Sequence, residues 1–149
     1  MIGIKVRRAL RRKMKPMRIG IPREIKDHEY RVGVVPAGAA ALAADGHKVR
    51  VQAGAGGRIG FSDDDYRAAG AEVVPDARAA YDAELIVKVK EPQAAELALL
   101  HEGQTLFCYL HLAAAPELAR ALLDRRVTAI AYETVILPSG RAPLLAPMS

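Results

Sequence analysis

A single cysteine, Cys108, stands in a chain of 149 residues, so no disulfide forms within the chain and no cysteine-based metal cluster is suggested. It lies in the apolar run Thr105–Leu110 and reads as a buried, reduced thiol with no catalytic part. There is no apolar run near 18 residues, which argues against a membrane-spanning helix, and the N-terminus lacks the apolar stretch and small-residue cleavage site of a secretory signal. The expectation is a soluble, cytoplasmic protein with no membrane partner and no metal.

Acidic residues are missing from one stretch. Residues 1–16 carry Lys5, Arg7, Arg8, Arg11, Arg12, Lys13 and Lys15 and no acid, so of the 22 cations only 15 remain to face all 17 acids. The net charge of +5 and the pI near 9.6 therefore belong to the leader, and residues 17–149 are near neutral. Such a leader is either a nucleic-acid or membrane-surface arm, or sequence upstream of the true start, since Met17 opens a clean strand pattern. No aromatic is interleaved for base stacking, which favours the second. The expected organisation is a disordered basic leader, 1–16, and one folded unit, 17–149, with no nucleic-acid partner. At 51% hydrophobic the chain is long enough for one core and too short for two full domains.

Strand and helix patterns alternate along the folded part. Arg18–Ile21 is a short strand stopped by Pro22, and the polar run 23–31 is a loop or short exposed helix. Pro36–Asp45 is an alanine-rich helix ended by Gly46, and Lys48–Gln52 is a second strand. Ser62 and Asp65 form a capping box for a helix that Gly70 ends. Glu72–Val74 is a strand, Ala77–Tyr81 a helix, Leu85–Val89 a strand and Ala94–Leu100 a helix. Thr105–Leu110 is a strand, Pro116–Arg126 an amphipathic helix and Thr128–Ala131 a strand. This predicts an α/β fold, a mostly parallel sheet with helices on both faces in the manner of Rossmann-like or flavodoxin-like three-layer domains. The tail Leu144–Ser149 begins something apolar and stops, which suggests a chain cut within a larger protein.

Chemistry concentrates at strand ends. The stretch Leu85–Pro92, LIVKVKEP, starts as a buried parallel strand and continues into Lys88-Val89-Lys90 before Pro92 ends it. Alternation puts Lys88 and Lys90 on one side of the pleat. They are either rim lysines of a strand entering solvent, or cations at the carboxyl edge of the sheet, where ligands of open α/β folds sit. His111 ends the next strand, and an imidazole suits proton transfer in both directions; His28, His47 and His101 read as structural. Arg31 closes the loop after the first strand with a planar fork suited to a carboxylate, the alternative being a solvated surface arginine. The glycine loop GAGGRIG at 54–60 is a poor dinucleotide fingerprint, because its third glycine falls one residue late and the helix starts only after Ser62. A connection needing positive φ accounts for it better.

These residues add up to a resemblance. Met17–Glu24 (MRIGIPRE), Glu29–Val32, KVKEP at 88–92, LHLA at 110–113, AYETV at 131–135 and LLAPMS at 144–149 resemble, in order and without an evident gap, the N-terminal part of the alanine dehydrogenase family. The alpha subunit of proton-translocating transhydrogenase is a relative sharing the opening and strand pattern, but it is not expected to keep both Lys90 and His111. The resemblance implies NAD-dependent, reversible oxidative deamination of L-alanine to pyruvate and ammonia by a homo-oligomeric full-length enzyme. It implies that Arg31 and Lys90 hold the substrate, that His111 is the acid/base, and that Ser149 touches the nicotinamide nucleotide, with NAD bound mainly by a following domain absent from these residues. Lys88 is a supporting residue. Glu133 is a candidate for orienting a neighbour, with no physical argument in the sequence to say which. The runner-up is the N-terminal domain of a nicotinamide nucleotide transhydrogenase alpha subunit, or a non-catalytic binding module. On the first reading the isolated chain is expected to be an inactive fragment, truncated before the NAD-binding domain.

Overall fold

The computed structural model describes residues 15–148; Ser149 and most of the leader, residues 1–14, lie outside the described residues. Strands and helices follow as β1 (Arg18–Ile21), α1 (Pro36–Ala44), β2 (Lys48–Gln52), α2 (Asp63–Ala68), β3 (Glu72–Val74), α3 (Ala77–Tyr81), β4 (Leu85–Val87), α4 (Ala94–Leu97), β5 (Thr105–Cys108), α5 (Pro116–Asp124) and β6 (Thr128–Ala131). All five strand pairings are parallel, in the order β3-β2-β1-β4-β5-β6. The sheet is thus an α/β sheet of the anticipated kind. The ladder turns back at β1, which takes β2 on one side and β4 on the other.

Right-handed crossovers then dictate where the helices lie. Stepping β1→β2→β3 in one direction puts α1 and α2 on one face; returning from β3 to β4 and stepping on to β5 and β6 puts α3, α4 and α5 on the other. The core divides accordingly. Ala39 of α1 and Tyr66 of α2 pack with Ile21, Val49 and Val51, whereas Tyr81 of α3 and Leu118 and Leu122 of α5 pack with Ile86, Leu106 and Cys108. Among the described residues, one quadrant of the sheet carries no helix. Ile19, Leu85, Val87 and Phe107 floor a groove of about 650 Å³ there, bordered by Val32–Val35, Tyr132 and Leu144.

Local signals behave as their chemistry requires. The Ser62 hydroxyl accepts the Asp65 N–H at 3.2 Å, and an Asp65 oxygen accepts the Ser62 N–H at 2.7 Å, closing the capping box. Residues 23–31 are loop, not helix. Several elements are shorter than their propensities suggest: β4 stops at Val87, β5 at Cys108, α1 at Ala44, α4 at Leu97 and α5 at Asp124. Backbone pairing continues past the last regular bridge, with Lys88 N–H donating to the Phe107 carbonyl and Tyr109 N–H to the Val89 carbonyl. Among the described residues no helix is long and apolar enough to cross a membrane.

Cys108 is fully enclosed between β5 and its helices, and burial pushes its thiol pKa well up. A thiol so held is inert. The native chain should show no reaction with a thiol reagent over minutes, and one equivalent should react in denaturant; fast native labelling would show that the β5 layer opens.

Candidate functional site

Arg31, Lys90 and His111 come from the loops after β1, β4 and β5, three adjacent strands whose carboxyl ends meet at the turn-back of the strand order. In an open parallel sheet this is where crossovers leave in opposite directions and a crevice opens. The segment after β1 is drawn close to β4. A Cβ on Gly33 would stand 2.6 Å from the Val87 carbonyl oxygen, so only glycine permits this approach.

Two of the three side chains, Lys90 and His111, lie against Tyr109, which the sequence pattern places in an apolar run without singling it out. Tyr109 is 4% exposed, and its hydroxyl donates to the Leu144 carbonyl at 2.5 Å. The Lys90 ammonium lies 5.8 Å from the centre of its ring, and the His111 imidazole is stacked against it at 5.8 Å with the planes 12° apart. The Arg31 charge acts on the Tyr109 phenol, lowering a pKa that burial, the larger effect, raises. Tyr109 and His111 both lie beyond the end of β5, and the left-handed turn at His111, not strand alternation, lays its ring against Tyr109.

Arg31 has a carboxylate on its fork, and that carboxylate belongs to this chain. Glu29, 6% exposed, accepts from Arg31 Nε at 2.8 Å, from Nη2 at 2.7 Å and from the Arg31 backbone N–H at 2.9 Å. The hydrogen bonds to Arg31, against the opposing effect of burial and with a smaller contribution from the Lys90 charge, hold Glu29 below the usual carboxylate range. Arg31 is therefore no loose surface arginine; its guanidinium is aimed and lines both the apolar groove and a polar cavity of about 490 Å³ walled by residues 23–31 and the glycine loop.

His111 has a left-handed backbone, φ 49°, which a side chain larger than Asn adopts only when held. Glu133 holds it. The Glu133 carboxylate accepts the His111 N–H at 2.7 Å and the Leu110 N–H at 3.2 Å. Burial would raise the Glu133 pKa, but these bonds and its own backbone N–H outweigh burial and hold it below the usual range. The turn after β6 thus props the histidine loop, the physical role that sequence reasoning could not assign to Glu133.

Lys88 and Lys90 end in different surroundings, which corrects their placement on one side of the pleat. The regular strand stops at Val87, so strict alternation does not extend to Lys90. Lys88 is fully buried, with its ammonium 2.7 Å from Glu96 Oε1 and 3.1 Å from Glu24 Oε2; Lys90 stays half-exposed over Tyr109. Of the histidines read as structural, His47 accepts the Met17 N–H through Nδ1 at 3.1 Å, and His28 lies with Nδ1 3.4 Å from the Tyr30 hydroxyl.

The glycine loop does not fit a dinucleotide. Gly54 N–H donates to Asp63, and the amides of Ala55, Gly57, Ile59, Gly60 and Phe61 donate to carbonyls within residues 52–57, so these amides do not point at a ligand. Asp63, Asp64 and Asp65 in the first turn of α2 would repel a pyrophosphate. Gly54 and Gly60 have φ of 74° and 88°, as a tight connection needs. Ser149 is outside the described residues. Among the described residues no group of three or more His, Cys, Asp or Glu is arranged to hold a metal.

Comparison with known proteins agrees with this architecture. Residues 20–149 match the family described as Alanine dehydrogenase/PNT, N-terminal domain. An alanine dehydrogenase of Halomonas elongata is 58% identical over 134 residues, covering 89% of this chain and 36% of that protein. One of Mycobacterium tuberculosis is 54% identical over 134 residues, with the same coverage. The chain spans a little over a third of the length of these curated relatives. A solved L-alanine dehydrogenase superposes with a TM-score of 0.87 at 52% identity, over 89% of this chain and 37% of that one. A solved transhydrogenase from Sinorhizobium meliloti is more distant, with a TM-score of 0.74 at 29% identity over 78% of this chain and 33% of that one. The chain, an open parallel sheet with its polar side chains gathered at the turn-back of the strands, belongs to the alanine dehydrogenase/PNT N-terminal domain family.

Proposed function

We propose that this chain supplies the substrate-binding part of an alanine dehydrogenase, which catalyses NAD-dependent, reversible oxidative deamination of L-alanine to pyruvate and ammonia. The observation that carries this reading is the placement of Lys90 and His111 against the buried Tyr109 ring, with Arg31 on the loop after the neighbouring β1, at the carboxyl edge of β1, β4 and β5. Their chemistry matches a small amino acid. A guanidinium held edge-on by Glu29 and a nearby ammonium attract a substrate carboxylate and carbonyl oxygen, and orient them. An exposed imidazole on a propped loop accepts a proton from the substrate amine, or from the hydroxyl of a carbinolamine, and returns it in the reverse direction. The glycine loop at 54–60 does not fit the dinucleotide, so this reading assigns NAD mainly to residues that follow this part of the enzyme.

The test is a chimera in which residues 17–149 are continued by the remaining part of the Halomonas elongata relative. The chimera should produce NADH from L-alanine, while the 149-residue chain alone should produce none and bind pyruvate weakly. In the chimera, Arg31→Ala should raise KM roughly 10- to 100-fold, the equivalent of one charge-assisted pair. His111→Ala should lower kcat about 100-fold or more, the usual worth of a general acid/base, with a smaller effect on KM. A His111→Ala chimera that keeps its turnover rate removes the histidine from the chemistry. Alanine-dependent NADH production by the 149-residue chain would return the loop at 54–60 to consideration as a nucleotide site.

A further inference from the structure

The crevice at the turn-back of the sheet is spanned at its base by one side chain. Glu24 belongs to the loop after β1, the same loop that carries Arg31, and the segment it meets, after β4, carries Lys90. Glu24 Oε1 accepts the Val89 N–H at 2.7 Å, and Oε2 accepts from the Lys88 ammonium at 3.1 Å. Both contacts are buried: Glu24 is 9% exposed and Lys88 0%. Lys88 is held from its other side by Glu96, 2.7 Å away and 3% exposed, whose Oε1 also accepts from the Tyr81 hydroxyl at 3.1 Å and whose Oε2 accepts the Gln93 N–H at 2.8 Å. A second link, the ion pair of Lys26 with Glu91, ties the same two segments nearer the surface. Buried charges are costly unless paired, so a network of this kind on two loops fixes the distance between them.

We propose that Glu24 is a positioning residue, which joins the two segments that carry Arg31 and Lys90 and sets the gap between the two cations. The inference rests on the proposed substrate site in taking Arg31 and Lys90 as its cations. The length of the side chain is what matters, because one carboxylate reaches both the Val89 amide and the Lys88 ammonium. Removing Glu24 leaves Lys88 paired with Glu96, so the fold retains a compensated charge.

The experiment compares Glu24→Ala, Glu24→Asp and Glu24→Gln in the 149-residue chain by amide hydrogen exchange and by titration with pyruvate. The amides to follow are Val89, which Glu24 accepts, and Tyr109, which donates to the Val89 carbonyl. Alanine and the shorter aspartate should speed exchange at Val89 and Tyr109 at least tenfold, leave β2 and β3 unchanged, and weaken pyruvate binding at least tenfold. Glutamine, equal in length, keeps an acceptor for the Val89 N–H but turns an amide NH2 toward the Lys88 ammonium, so it should slow exchange at Val89 relative to alanine while falling short of the parent. If Glu24→Ala does not fold, the aspartate and glutamine variants decide. Exchange unchanged at Val89 and Tyr109, exchange accelerated equally throughout the sheet, or Glu24→Asp binding pyruvate as well as the parent would each overturn the proposal. If Arg31→Ala and Lys90→Ala both bind pyruvate like the parent, the substrate-site reading fails; in that case, or where the parent binds pyruvate too weakly to titrate, exchange at Val89 and Tyr109 alone decides whether Glu24 positions the segment.

Discussion

Gly20→Ala should lower the melting temperature of the chain by roughly 10 °C, through a loss of about 3 kcal/mol at the upper end of overpacking costs. Gly20 lies in the middle of β1, and α3 crosses the sheet directly over it. A Cβ there would stand 1.9 Å from the Ala80 carbonyl oxygen and 3.1 Å from Ile86 Cδ1. The first of these atoms is backbone, so no rotamer change relieves the contact; α3 must move away from the sheet as a body. Ala80 and Tyr81 in α3 are 0% and 1% exposed, and moving them disturbs the layer shared with Ile86, Leu106 and Cys108. The entropic gain of replacing glycine, about 0.4–1 kcal/mol, is too small to offset this. Thermal melts followed by circular dichroism measure the effect, and a shift of under about 2 °C would show that α3 has room to retreat.

Lys88→Met should cost about 3–5 kcal/mol at neutral pH, because it leaves the Glu24 and Glu96 carboxylates buried without the cation between them. The effect should depend on pH, and its sign follows from the carboxylates. Burial already raises the Glu24 pKa against the opposing pull of Lys88. Without the lysine, the folded-state pKa rises further above the unfolded value. A group with a raised folded pKa binds its proton more tightly when folded, so the variant gains stability as pH falls and loses it as pH rises through that pKa. The difference between parent and variant should therefore be largest near pH ~7 and shrink toward pH ~5. Urea unfolding at the two pH values measures it; equal midpoints for the two proteins at neutral pH would show that the pair carries no net stabilisation.

Much of the architecture was legible because its signals are local. The Ser62–Asp65 capping box, the amphipathic α5 with Leu118 and Leu122 inward, and the alternation that makes the sheet parallel each depend on residues a few positions apart. Arg31, Lys90 and His111 were legible as strand-end residues, and the structure places them on the loops after the adjacent strands β1, β4 and β5, with Lys90 and His111 against Tyr109. What escaped was the set of partners. Glu24 and Lys88 are 64 positions apart, and no periodicity announces that a lysine at a strand end turns inward to meet a glutamate so distant. Lysine favours the surface, so burial of Lys88 is visible only once Glu24 and Glu96 are seen to converge on it. Strand lengths were overread for a related reason: Val89 and Leu110 have strand propensity, but the chain beyond Val87 and Cys108 bends to serve the crevice.

The turn-back of the strand order at β1 has a consequence for the route by which the chain folds. Pairing β1 with β2 brings Ile19 to Val49, while pairing β1 with β4 brings Ile19 to Leu85, a closure more than twice as long in sequence. Loop-closure entropy grows only slowly with length, by about 0.6 kcal/mol per doubling, but it must be met before the contacts that reward it exist. The half made of β1, α1, β2, α2 and β3 is therefore the natural early unit, and the seam between β1 and β4 closes later. Gly20, Gly33 and the Glu24–Lys88 pair all lie on that seam. On this ordering the crevice is the last part of the sheet to close, and a chain stalled before that closure should keep the loops carrying Arg31 and Lys90 apart.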